Sequence, residues 1–371
     1  MAKLLDYLDL RRDITLKERP FNIVDALALT ELSYMDWDGI VGSKEITVKE
    51  AVDRYLEQND EESMQKKYVF SYLLHPFLVA IQNNTRLGSL KMKNYAHKFD
   101  EEECVQFAAV TFVLDRNTLF VAYQGTDSTM LGWEEDFHLT YMEEIPAQRY
   151  AKEYLKNVDK SRIRKKNIYV SGHSKGGNLA MYAAIENPEM ANQIVKVFNF
   201  EGPGFLDSYL EKTDLSFIID KTIGICTESS IVGRLLGHKE AIRYVKCDTP
   251  GLAQHSPFTW ILDLDDFVYV EGLDKKSDEY NETLNKILLN KDLSERKHYS
   301  ELLFKVLKDL KVNTVGDLLD LNIAKLSTSL QVFKNMTNQE RLFTTQLILF
   351  LLEQSRTVFV GSISIKNKPQ F

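Results

Sequence analysis

The stretch Asn167 to Ala180, NIYVSGHSKGGNLA, constrains the fold more than any other part of the chain. The β-branched and aromatic run Ile168-Tyr169-Val170 reads as a strand. Gly172-His173-Ser174-Lys175-Gly176 reads as a tight turn, and helix formers follow from Leu179 to Ile185. A GxSxG pattern at a strand-to-helix junction is a nucleophile elbow, in which the serine sits on a strained turn and the glycines let strand and helix approach closely. Ser174 is therefore expected at the top of a sheet, beside a helix N-terminus whose N–H groups can stabilise an anion.

The surrounding sequence fits such a sheet. Phe107 to Leu114 and Leu119 to Tyr123 read as strands joined by a turn at Asp115-Arg116-Asn117-Thr118, and a loop carrying Gly125, Thr126, Trp133 and Asp136 follows. A helix is expected from about Ala147 to Val158, then the elbow, then strands at Ile194–Phe200, Thr222–Thr227 and Ala241–Lys246, with Phe258–Leu264 completing the sheet. Glu201-Gly202-Pro203-Gly204 reads as a turn. Strands separated by helices imply an α/β fold with a mostly parallel central sheet, whose active site lies at the carboxyl ends of the strands.

On either side the pattern is helical. Residues 1 to about 100 read as helices, one capped at Asn22, one opened by Thr47-Val48-Lys49-Glu50, and a third from Glu61 to Gln82 with Pro76 inside it. Beyond Ser277, blocks at Glu279–Asn290, Lys297–Leu310, Val315–Leu319, Ile323–Phe333 and Asn338–Gln354 carry apolar residues at helical spacing. Two units are expected: residues 1–275, the sheet domain with its N-terminal helices, and residues 276–371, a helical cap or packing module.

Composition narrows the function classes. The 371 residues are 44% hydrophobic and 27% charged, enough to bury a large core, and the formal net charge of −8 argues against a general grip on nucleic acid. The run Arg162 to Lys166 reads as a solvated helix end. The N-terminus lacks a signal-peptide pattern, and the longest apolar run, Leu347 to Leu352, falls far short of the ~20 residues that span a bilayer. Three cysteines, Cys104, Cys226 and Cys247, without CxxC spacing, point to a reducing, cytoplasmic setting and no metal framework. Asp263, Asp265 and Asp266 read as the solvated face of a strand or turn, and GHSKGG lacks phosphate-loop spacing.

A nucleophilic serine needs a base, an acid to orient it and donors for the oxyanion, and in hydrolases of this topology the base follows the serine in the chain. His238, His255 and His298 lie downstream. His298 sits in the helical tail and His238 beside Glu240, whereas His255 falls on a loop after the last strands, where the base belongs. His173 is better suited to packing or hydrogen bonding. The backbone N–H of Lys175 is the default oxyanion donor, and the Gly125-Thr126 loop supplies the second.

Five blocks, GTDSTMLGWEEDF (Gly125–Phe137), GHSKGGNLA (Gly172–Ala180), FNFEGPGF (Phe198–Phe205), SSIVGRLL (Ser229–Leu236) and QHSPFTW (Gln254–Trp260), together resemble the class 3, fungal-type lipases and more closely a group of bacterial lipase-like proteins. The resemblance implies an α/β-hydrolase fold and hydrolysis of acyl or lipid esters without a cofactor. It implies Ser174 as nucleophile, His255 as base, Thr126 and Lys175 as oxyanion donors, and Ser128–Phe137 in the region those lipases use as a lid. Two departures stand out: Gln124 occupies a position usually held by Arg, and Ser230 the position of the family's acid. Glu228, immediately after the strand ending at Thr227, is the first candidate for the missing carboxylate and Asp248 the second. The expected protein is a serine esterase for small-molecule acyl substrates; a lipase-like binding protein, or a thioesterase or peptidase using the same serine, are the alternatives.

Overall fold

The computed structural model describes residues 1–67, 73–159, 165–249, 251–273, 289–320, 333–334 and 336–366. Among them, nine strands form one mixed sheet in the order β1-β2-β3-β4-β5-β6-β7-β8-β11. The strands are β1 (Ile46–Thr47), β2 (Lys91–Asp100), β3 (Val105–Asp115), β4 (Thr118–Tyr123), β5 (Asn167–His173), β6 (Ile194–Phe200), β7 (Thr222–Thr227) and β8 (Ala241–Val245). A small hairpin of β9 (Leu262–Asp263) and β10 (Asp266–Phe267) then leads to β11 (Tyr269–Val270). The block β4 to β8 is parallel, while β1 to β4 and the β8–β11 pair are antiparallel.

Helices cover both faces. On one lie α1 (Leu4–Leu10), α2 (Ile23–Glu31), α3 (Val48–Gln58), α4 (Glu61–Lys67), α5 (Leu74–Gln82) and α6 (Thr85–Gly88), whose apolar residues join Phe112, Phe120, Phe198 and Phe200 in one core. After the short α7 (Met130–His138), α8 (Pro146–Lys156) and α9 (Lys175–Ile185) cover the opposite face with Val121, Val170 and Val197, and α10 (Asp207–Lys212) packs beside them. A third cluster joins α11 (Leu293–Asp309), α12 (Val315–Leu319) and α13 (Asn338–Lys366) to Met130, Trp133 and Phe137 of α7. No helix among the described residues is long and apolar enough to cross a membrane.

Several expectations change here. The first hundred residues are not all helical, because β1 and β2 add two antiparallel strands to the sheet edge. Of the ten residues of β2 only Met92 is buried, so its sequence lacks the apolar alternation that marks a strand. The expected helix Glu61–Gln82 is instead α4 and α5, with Pro76 in the first turn of α5, where its missing N–H costs nothing, and residues 68–72 lie outside those described. Phe258–Leu264 adds no strand to the main sheet; it runs into the β9–β10 hairpin, and β11 takes the edge. Residues 162–164 of the basic run, and most of the blocks Glu279–Asn290 and Ile323–Phe333, lie outside the described residues.

Candidate active site

The elbow is formed as its glycines demand. Ser174 has φ 57° and ψ −133°, a conformation that costs an L-residue energy and that cores tolerate only when neighbours enforce it. Its N–H donates to the Phe200 carbonyl at 2.9 Å, and its carbonyl accepts from Gly177 N–H at 2.8 Å. A Cβ on Gly172 would fall 1.9 Å from the Gly176 carbonyl oxygen, so no other residue fits there. From Val170 to Ile185 every residue is buried except Ser174, which is partly open.

His255 ends the 3₁₀ turn Gly251–His255. Its loop is pinned through Gln254, whose carbonyl accepts from Trp260 Nε1 at 2.8 Å and whose Oε1 accepts from Ser229 N–H at 3.0 Å. The His173 ring, directly before Ser174 in the chain, lies 4.6 Å from the His255 ring between centroids. Nε2 of His173 donates to the His255 carbonyl at 2.8 Å, which leaves Nδ1 to accept from the Tyr34 hydroxyl, also at 2.8 Å. Burial, and then the charge of His255, holds His173 well below the usual imidazole range. His173 is thus a neutral bracket that fixes His255 beside the elbow.

The carboxylate beside His255 is Glu201. His255 Nδ1 lies 3.2 Å from Glu201 Oε2, and both side chains are buried. Glu201 follows β6 directly at φ 54°, and it also accepts from Ser230 Oγ at 3.0 Å and from Thr227 N–H. The carboxylate of Glu228, the first candidate acid, instead accepts from Cys247 N–H at 3.1 Å. Asp248 is paired with Lys3 at 2.6 Å. Ser230 stands where the lipase-type acid was expected, and its hydroxyl binds the carboxylate that arrives from the neighbouring strand. The signal for Glu201 was its position at the carboxyl end of β6, next to the elbow strand β5, which only the strand order reveals.

Thr126 and Lys175 lie at the same end of the sheet. Thr126 Oγ1 donates to Asp136 Oδ2 at 2.7 Å, and burial pushes the Asp136 carboxyl up to about 6 against the opposing pull of Lys175, Thr126 and His255. A Cβ on Gly125 would lie 2.5 Å from the His173 carbonyl oxygen and 3.1 Å from Ser174 Cβ, so the Gly125-Thr126 backbone presses against the elbow. The Lys175 side chain turns inward: Nζ donates to Gln106 O and Oε1 at 2.8 Å each and pairs with Glu135 at 2.7 Å, with both charged groups buried. The region expected to form a loop or lid is therefore the helix α7, tied down through Glu135 and Asp136. Its other side packs on the C-terminal helices, where Phe137 meets Phe304 edge-on at 5.3 Å.

The other singled-out groups have structural partners. His238 lies 2.9 Å from Glu240, the exposed His298 lies 2.7 Å from Glu340, and Asp265 of the acidic cluster pairs with Arg11 at 2.9 Å and with Arg19.

The sequence profile of one family, described as Mbeg1-like, matches residues 81–305, more than half of the chain. The chain belongs to the Mbeg1-like family. The family is lipase-like, and the matched span holds Ser174, Glu201 and His255 together with every strand of the main sheet except β1. No curated protein matches the chain. Among solved structures, one titled crystal structure of M37 lipase is 14% identical, covering 56% of this chain and 67% of its own, with a TM-score of 0.31, too low for its site to be carried across.

Behind the site Glu31 is buried, its Oε1 has no hydrogen-bond partner, and it lies 3.9 Å from His173 Nδ1. Burial pushes its carboxyl from 4.5 up to about 8. The folded chain then keeps a proton that the unfolded chain releases, so this group's contribution is full below the unfolded value and is lost as pH rises towards about 8. The loss is on the order of 5 kcal/mol at most, at about 1.4 kcal/mol per pH unit. Glu31→Gln is expected to flatten this fall, so that urea midpoints measured against pH show the variant gaining on wild type steadily towards pH 8. A constant difference between the two would remove Glu31 as the cause.

Proposed function

We propose that this member of the Mbeg1-like family is a serine hydrolase of carboxylic esters, with an α/β-hydrolase fold and Ser174, His255 and Glu201 as its triad. The observation that carries the reading is the buried Glu201–His255 contact standing behind a strained, partly open serine. Glu201 holds the proton on Nδ1 of His255, which makes Nε2 the basic nitrogen. Nε2 takes the Ser174 proton as Oγ attacks the ester carbonyl, and returns it to the leaving alcohol. The backbone N–H groups of Lys175 and Thr126 face the oxyanion, with Asp136 fixing Thr126. Water, activated by the same histidine, then releases the acid from the acyl-enzyme.

Against the alternative of a binding protein of lipase-like shape, Glu201 beside His255 supports the hydrolase reading even though Ser230 holds the lipase-type acid position. Covalent labelling of the full chain by a fluorophosphonate probe is the direct test. Wild type is expected to be labelled at Ser174, and Ser174→Ala to lose the label while keeping its circular-dichroism spectrum. Folded wild-type protein that takes no label would sink the proposal. A panel of esters, thioesters and peptides of graded acyl length then fixes the substrate class, with esters of apolar acyl chains expected to lead.

A further inference from the structure

Cys104, Glu134 and His138 converge at a place the hydrolytic chemistry does not use. Cys104 closes the turn between β2 and β3 at φ 52°, in the left-handed region that a non-glycine residue enters only when its surroundings hold it there. Glu134 and His138 stand one turn apart on α7, so their side chains leave the same face of the helix. The Cys104 sulfur, one Glu134 carboxylate oxygen and one His138 ring nitrogen all lie within 4.8 Å of one another, on partly buried residues. Nδ1 of His138 is closed off from solvent and has no hydrogen-bond partner. A buried, unpartnered ring nitrogen costs free energy unless something binds it.

We propose that these three side chains form a site for a divalent cation of the zinc class, which braces α7 against the β2–β3 turn. The donor set decides the class: thiolate and imidazole favour zinc over calcium or magnesium, which prefer all-oxygen shells. The charges also balance, since a thiolate and a carboxylate cancel the two positive charges while the imidazole binds neutral. Zinc bonds of about 2.0–2.3 Å place ligand atoms less than about 4 Å apart, so side-chain rotation from the present spacing closes the site. Three protein ligands leave a fourth position for water, and binding releases the Cys104 thiol proton to solvent. The intervening residues of α7 point elsewhere, Glu135 to Lys175 and Asp136 to Thr126. The cation would therefore steady the helix that supports the elbow and the Thr126 loop without touching substrate.

The test uses the full chain, stripped with a chelator and titrated with Zn²⁺ by calorimetry and with Co²⁺ by absorption. One equivalent is expected to bind, with a thiolate-to-cobalt charge-transfer band in the near ultraviolet. Cys104→Ser should abolish the band, and Glu134→Gln and His138→Ala should each weaken Zn²⁺ binding by roughly tenfold or more. His298→Ala, at an exposed histidine, should leave binding unchanged. Wild-type protein gives a readout that does not depend on the variants folding. Cys104 is partly accessible whereas Cys226 and Cys247 are buried, and Zn²⁺ should slow alkylation of Cys104, mapped by mass, by about tenfold or more. No stoichiometric uptake, uptake whose cobalt band survives Cys104→Ser, or no protection of Cys104 would each overturn the proposal.

Discussion

Glu201→Gln is expected to lower kcat by about 10⁴-fold, measured on the ester of the panel that wild type turns over best, with its circular-dichroism spectrum unchanged. The glutamine keeps the size of the glutamate, and its carbonyl oxygen can still accept from Thr227 N–H or Ser230 Oγ. What it loses is the ability to accept from His255 Nδ1 with a full negative charge. Its NH₂ group can donate to Nδ1 instead, which moves the imidazole proton to Nε2, the nitrogen that must receive the Ser174 proton. The ring then keeps its position and loses its function. Glu228→Gln and Asp248→Asn are expected to leave kcat near wild type, because these carboxylates serve Cys247 N–H and Lys3. The reverse ranking, with Glu228→Gln inactive and Glu201→Gln active, would return the acid to the strand end of β7.

The difficulty in finding Glu201 shows where sequence reading stops. The elbow was legible because glycines, a β-branched strand and helix formers fall in one local window, and Ser174 at φ 57° is what such a window produces. The helix opened at Asn22 was legible for the same reason, since its cap bonds Val24 and Asp25 only two and three residues away. His255 followed from its place after the last parallel strand. Glu201 is different: its partners Thr227, Ser230 and His255 are all more than twenty residues away, and β6 lies beside β5 only once the sheet has formed. In the chain, Glu201-Gly202-Pro203-Gly204 is a turn by every local criterion, and it is one; the turn simply also carries an acid. β2 escaped because its Lys, Asn, His and Asp residues are half-exposed on an edge covered only by the two residues of β1. α7 escaped because a nine-residue helix with a glycine in its first turn has little intrinsic propensity, and packing by Phe137 and the Glu135 tether stabilise it instead.

Lys175→Met is expected to destabilise the fold by about 3–5 kcal/mol, read as a fall in the urea midpoint at constant m-value. A lysine at the first turn of a helix would ordinarily reach solvent, but this one is almost fully buried, and its ammonium group is surrounded by Gln106 O, Gln106 Oε1 and Glu135 Oε2. Methionine fills the channel of the side chain and removes the charge, so the cost comes chiefly from Glu135, left as a buried anion. Glu135 has two other donors, Gln106 N–H at 3.1 Å and Ala147 N–H at 2.8 Å, which keep it in place but do not neutralise it. Glu135→Gln alone strands the lysine in the same way and should cost a similar amount. The double variant Lys175→Met/Glu135→Gln leaves no unpaired charge, and its amide oxygen still accepts one of the two backbone N–H groups. It should therefore be more stable than either single variant, with a coupling of at least about 3 kcal/mol in the double-mutant cycle. Simple additivity of the two losses would mean that the pair is not coupled and that the elbow owes its position to the sheet and its glycines alone. Coupling of the expected size would make the buried pair the tie between the first turn of α9 and α7, and so between Ser174 and the helix that fixes Thr126.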